Sequence, residues 1–253
     1  MMIPGATSLK PSWQMAPAPL ILPPGEVHIW RAALDLGPAT LRRLRETFSA
    51  DEQVWAERFY SPLRCAHYTA GRGILRALLA RYLGIPAGDL SFCLNAHGKP
   101  ALVPGSGAGD LRFNLSHSHG LALFAFAFRR EVGVDLEYVH SFPNRDRVAD
   151  RFFSAQEVTA LRELPQSTQT EAFFQCWTRK EAYIKARGGG LSISLASFAV
   201  PLAPYQLTSL PIIGHDYSDA DRWSLRALAP ADGYVAAVAA EGMDWSLSLF
   251  QWS

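Results

Sequence analysis

Cysteine is scarce in this chain of 253 residues: Cys65, Cys93 and Cys176 are the full set, scattered and without a Cys-x-x-Cys pair. An odd, dispersed set excludes a disulfide framework and fits a reducing cytoplasm. Long apolar runs are missing too. Nothing approaches the ~20 residues that cross a bilayer, and the longest candidate, at 121–128, reads as a buried strand. An excess of one charge is the third absence. The formal net charge of +1 gives no general attraction for nucleic acid or membrane, so an anionic ligand must be met by a local patch. Residues 1–25 lack the unbroken apolar stretch of a signal peptide and carry Pro4, Pro11, Pro17, Pro19, Pro23 and Pro24; they read as a flexible, extended leader.

What remains is an ordinary globular composition, 49% hydrophobic, able to bury a full core. Along the chain the patterning predicts a strand at 26–33, helical segments over 39–58, and a long helix at 62–83 that Gly84 and Pro86 end. Strands at 90–94, 111–115 and 121–128 complete a first lobe, 26–129. The second half, 130–253, repeats that order: a strand at 131–138, helices over 148–164, a long helix at 168–186, then strands at 223–228, 234–240 and 245–250. The repeated order predicts an α/β (α+β) fold of two similar lobes related by a pseudo-twofold, each a small, mostly antiparallel sheet packed with a long helix. A cleft between such lobes is a common place for a ligand.

Two acidic clusters carry most of the chemistry: Gly133-Val134-Asp135-Leu136-Glu137, and Trp177-Thr178-Arg179-Lys180-Glu181-Ala182-Tyr183-Ile184-Lys185. On a strand Asp135 and Glu137 share one face, with Val134 and Leu136 on the other; on a helix Trp177, Glu181 and Lys185 form one ridge. If that ridge faces the strand, three carboxylates converge as oxygen ligands for a hard cation such as Mg²⁺, with Lys185 in reach of a phosphate. The plainer alternative is a solvated strand end and an ordinary Glu181–Lys185 surface pair. Other candidates lie upstream. Asn114-Leu115-Ser116-His117-Ser118-His119-Gly120 offers an anion cradle or a hairpin turn whose polar residues satisfy themselves. Ala96-His97-Gly98-Lys99-Pro100 supplies a lysine on a glycine turn, and Thr69-Ala70-Gly71-Arg72-Gly73 a glycine-flanked arginine. Residues 105–109 read as a flexible connection, not a phosphate loop, because no lysine follows.

These motifs, in this order, resemble the Sfp-type 4'-phosphopantetheinyl transferases, whose pattern is G-x-D-x-E followed by W-x-x-K-E-x-x-x-K-x-x-G-x-G-L. Gly133, Asp135 and Glu137 match the first part; Trp177, Lys180, Glu181, Lys185, Gly188, Gly190 and Leu191 match the second. The likeness extends through Gly98-Lys99-Pro100, Asn114, Ser116, His117 and Arg151-Phe152-Phe153-Ser154, spanning roughly residues 52–200. The run from Tyr68 to Arg76 is closer to cyanobacterial and eukaryotic members. The surfactin-type branch places lysines ahead of the first long helix, where this chain has Glu52, Trp55 and, as its basic residue, Arg58.

The resemblance implies transfer of the 4'-phosphopantetheine group of coenzyme A to a serine of an apo acyl or peptidyl carrier protein, releasing 3',5'-ADP. It implies Asp135, Glu137 and Glu181 as ligands of Mg²⁺ (or Mn²⁺), Glu181 also as general base, and Lys185 on the pyrophosphate. Arg72, His97, Lys99, Pro100, Asn114, Ser116 and His117 are expected to line the coenzyme A site. Carrier docking is expected around residues 187–197, with the protein monomeric and cytoplasmic. Two rival expectations are a coenzyme A or carrier-binding module without catalysis, and another Mg²⁺-dependent nucleotide phosphotransferase.

Overall fold

The computed structural model describes residues 12–104, 109–202, 213–214 and 222–253. Most of the 105–109 connection expected from sequence lies outside the described residues.

Four layers are stacked helix, sheet, sheet, helix. The first sheet has the order β11 (Ser246–Gln251), β1 (Glu26–Ala33), β5 (Leu121–Phe128), β4 (Leu111–Ser118). Its pairs are antiparallel except β1 with β11, which is parallel. The second sheet is antiparallel throughout, in the order β6 (Val132–Tyr138), β10 (Tyr234–Glu241), β9 (Trp223–Leu228). Two small antiparallel pairs accompany them, β2 (Phe92–Leu94) with β3 (Pro100–Leu102), and β7 (Phe198–Ala199) with β8 (Ile213–Gly214).

Strand alternation explains the layering, because successive side chains point to opposite faces. On one face of the first sheet Trp30, Phe124 and Phe126 meet Ile74, Leu75 and Leu78 of the long helix α3 (Pro62–Leu83). The other face, with Val27, Ile29, Leu123 and Ala125, packs on Val134, Leu136, Ala236 and Val238 of the second sheet. Beyond it Val235, Ala237 and Ala239 meet Ala182, Tyr183 and Ala186 of the second long helix, α6 (Gln166–Arg187). Both long helices run for 22 residues and stop at a glycine in the left-handed region, Gly84 and Gly188, each with φ 68°.

The predicted helical stretches each divide in two. Ser49 and Ser154 start new helices because each closes a reciprocal capping box, with Glu52 and with Glu157. The first stretch therefore becomes α1 (Pro38–Arg45) and α2 (Ala50–Glu57), the second α4 (Arg145–Phe152) and α5 (Ala155–Glu163). The pseudo-repeat extends to what these glutamates do next. Both are buried against a cation of the neighbouring long helix: Glu52 Oε2 accepts from Arg76 Nε at 3.0 Å, and Glu157 Oε2 from Lys180 Nζ at 2.7 Å. The two cations occupy the same place in their helices, fourteen residues after the first (62 to 76, 166 to 180).

Three features differ from the sequence expectation. The final strand leaves the second half and pairs with β1, since its apolar face completes the first sheet's cover. The described part of the leader, 12–25, is laid down on the body: Gln14 bridges Phe250, Trp13 lies under Arg31, and Leu20 and Leu22 join the first core. Lastly, the polar run after residue 113 is strand, not turn. β4 continues to Ser118, leaving His119 and Gly120, at φ 45° and 80°, to make the turn.

Candidate active site

The two sheets meet along the edges of β4 and β6, and there side chains replace the backbone ladder. Asn114 Oδ1 accepts from Val134 N at 2.9 Å, Ser116 Oγ donates to Asp135 Oδ1 at 2.9 Å, and Ser118 Oγ donates to Glu137 Oε2 at 3.0 Å while accepting from Tyr138 N. Three residues two apart on one strand thus fasten the other sheet's edge and fix where Asp135 and Glu137 point. Gly133 lets α6 press against β6. A Cβ there would fall well inside contact distance of the Ala182 carbonyl and the Ala186 amide nitrogen, so the strand and helix backbones touch. That approach brings Glu181 and Lys185 over the acidic strand.

Lys185 Nζ reaches Asp135 Oδ1 at 2.6 Å and Ser116 Oγ at 3.1 Å. Asp135 is 4% exposed, and its second oxygen, Oδ2, is buried with no hydrogen-bond partner. Such an atom is costly unless something positive comes to it. Burial pushes both Glu137 and Glu181 above the usual carboxylate range, and the negative charge of Asp135 adds to both; Ser118 and Lys185 pull Glu137 back, and Lys185 alone opposes the rise at Glu181. Among the described residues no three metal-ligating side chains are closed into a cage as they stand. The donor set nevertheless fits a hard cation: all oxygen, mutually repelling, with one buried oxygen unused. His117 alternates with Ser116 and Ser118 and so lies on the other face of β4; its pKa is lowered by burial, then by the positive charge of Lys185 and of His67.

The other residues expected to line the site are placed differently. Arg72 is held by Glu52 and lies over the Phe92 ring at 3.8 Å, so its guanidinium is part of a buried pair rather than a free anion contact. Lys99 spends its ammonium on Glu131 at 2.9 Å and on the carbonyls of Val132 and Ala186, clamping the β2–β3 hairpin to β6 and to the end of α6. Asn114 is occupied with Val134. His97 sits in the exposed hairpin turn against Gly190, and Asn95 donates to the Gly188 carbonyl at 2.9 Å. Pro100 opens β3 and, with Lys99, borders a cavity of about 390 Å³ that neither Asp135 nor Lys185 lines.

Within the second motif, Trp177 does not share the cleft with Glu181 and Lys185; it packs against Phe152 and Phe173. Lys180, adjacent to Glu181, points the other way and is fully buried, donating to Glu157 and to the Phe198 carbonyl at 2.5 Å. Burial lowers its pKa and Glu157 draws it back up. Sequence reasoning placed Ser118 only in a possible anion cradle or turn; the alternation Asn114, Ser116, Ser118 would have revealed its fastening role had the run been read as strand.

Carboxylates opposite an ammonium at a sheet seam are equipment for the chemistry of phosphate esters. A family model described as the 4'-phosphopantetheinyl transferase superfamily matches residues 131–239, the stretch holding Asp135, Glu137, Glu181 and Lys185. The 4'-phosphopantetheinyl transferase HetI of Nostoc sp. is 41% identical over 94% of this chain and 97% of its own length. A putative 4'-phosphopantetheinyl transferase of Synechocystis sp. is 36% identical over 70% of each chain, and Sfp of Bacillus subtilis is 31% identical over 63% of this chain and 69% of that one. This chain belongs to the 4'-phosphopantetheinyl transferases.

Proposed function

We propose that the protein transfers 4'-phosphopantetheine from coenzyme A to a serine of an apo acyl or peptidyl carrier protein, releasing 3',5'-ADP, with Mg²⁺ or Mn²⁺ held by Asp135, Glu137 and Glu181. The observation that carries this reading is the buried, unpartnered Oδ2 of Asp135 beside Lys185. A divalent cation bound to these carboxylates would supply neutralising charge to the pyrophosphate. Lys185, 30% exposed on a flexible four-carbon stem, would exchange Asp135 for a phosphate oxygen. The serine oxygen forms the new bond to the β-phosphorus as the P–O bond to the bisphosphate breaks. Glu181 takes the hydroxyl proton. Ser116 holds Asp135 in place while Lys185 moves.

Both halves of the seam come from one chain, which supports action as a monomer, and no helix among the described residues is long and apolar enough to cross a membrane. Incubation with coenzyme A, Mg²⁺ and apo carriers of fatty-acid, polyketide and peptide type tests the reading. Mass spectrometry should find one phosphopantetheine added to a carrier. Binding of both ligands with no mass change on any carrier would favour the non-catalytic alternative instead.

A further inference from the structure

Beyond Glu137 the seam ends in two histidines. His119 stands at the β4–β5 turn and His140 two residues past β6, both exposed, with ring centroids 5.6 Å apart. Each ring has one nitrogen already engaged. His140 Nδ1 lies 2.9 Å from the Tyr138 carbonyl oxygen, which can only accept, so the ring hydrogen sits on Nδ1. His119 Nδ1 lies 3.2 Å from Ser118 Oγ, whose single hydrogen goes to Glu137, so this ring donates from Nδ1 as well. Both rings, when neutral, therefore carry their lone pair on Nε2. An Nδ1–H given to a fixed acceptor is the arrangement that orients histidines on metals.

The spacing suits one ion. With a metal–nitrogen bond of about 2.0–2.1 Å each ring centre stands about 3.2 Å from the ion, and a tetrahedral to trigonal angle then separates the two centres by about 5.2–5.5 Å. The rings are also braced. His119 packs on Tyr138 at 4.9 Å while its carbonyl accepts from Tyr234 Oη at 2.5 Å, and His140 packs on Phe174 at 5.1 Å. No third metal-ligating side chain closes a cage among the described residues, so water would complete the coordination. We infer that His119 and His140 together bind a divalent transition ion such as Ni²⁺, Cu²⁺ or Zn²⁺ through Nε2, at a site chemically separate from the all-oxygen set that suits Mg²⁺. This binding depends neither on coenzyme A nor on turnover.

Calorimetric titration of the full chain with Ni²⁺, in an excess of Mg²⁺, tests the assignment. Wild type should take up one equivalent, with affinity rising from Co²⁺ through Ni²⁺ to Cu²⁺ and falling again at Zn²⁺. His119→Gln and His140→Gln should each weaken Ni²⁺ by more than about tenfold, since one of two protein ligands is lost. Both rings are exposed, so neither change opens the core. Asp135→Asn and His97→Gln should bind Ni²⁺ as wild type does. In the unmutated protein Zn²⁺ should shift the Nε2 resonances of His119 and His140 while each Nδ1 keeps its proton. No uptake in excess Mg²⁺, an affinity unchanged by either histidine variant, a matching loss in Asp135→Asn, or Zn²⁺ shifts confined to other histidines would overturn the assignment.

Discussion

Lys180→Met is the sharpest perturbation this structure offers, because Lys180 sits in the acidic motif beside Glu181 yet faces the core. Its ammonium and the Glu157 carboxylate are 0% and 2% exposed and 2.7 Å apart. Removing one member of such a pair strands the other. Glu157 would keep its bonds to Ser154 N and Val200 N but hold an uncompensated charge. That situation costs about 3–5 kcal/mol, against a total stability of about 5–15 kcal/mol. At about 2–3 kcal/mol per molar of urea the unfolding midpoint should drop by roughly 1–2 M. The double variant Lys180→Met, Glu157→Gln should recover much of the loss, since glutamine still closes a capping box and the core is then neutral. Transfer activity per folded molecule should stay near wild type in both. A single-variant cost under about 1 kcal/mol, or a tenfold loss of kcat/KM with the fold intact, would refute the assignment of Lys180 as a core pin.

Asp135→Asn should lower kcat/KM by about 10²–10³ in steady-state transfer assays, by removing the charge at the centre of the cluster. Glu137→Gln should also lose activity but should raise the thermal midpoint of the metal-free protein, by the order of 1 kcal/mol of relieved like-charge repulsion; a lower midpoint would contradict the cause given for its raised pKa. Gly133→Ala should cost about 1–3 kcal/mol and depress activity together with stability, because strand and helix must separate to admit the methyl group. His28, buried between Tyr82 and Glu26, has its pKa lowered by burial, so the unfolded chain takes up a proton first as pH falls. Stability is then lost on going below about pH 6.5, and urea midpoints at about pH 7.5 and 5.5 should differ less in His28→Asn than in wild type.

Period and punctuation made much of this molecule legible. The α3 helix, with Leu75, Leu78 and Leu79 at core spacing and Gly84 beyond it, is where the pattern places it, and so are β1, β5 and β10. Asp135 and Glu137 share a face because strands alternate, and Glu181 and Lys185 share a ridge because helices turn every 3.6 residues. Local rules reach that far because each depends on neighbours in sequence.

Partnership is decided otherwise. Asn114, Ser116 and Ser118 look like turn residues until an edge strand of another sheet arrives to be fastened; Arg72 and Lys99 look like phosphate contacts until Glu52 and Glu131 arrive to occupy them. Lys180 and Lys185 are both one helix's lysines, and only packing sends one to Glu157 in the core and the other to Asp135 at the seam. A sequence states which charges and which periods exist. Which charge meets which is a matter of distances across the chain, and those are fixed by the apolar faces that close the two sheets on each other.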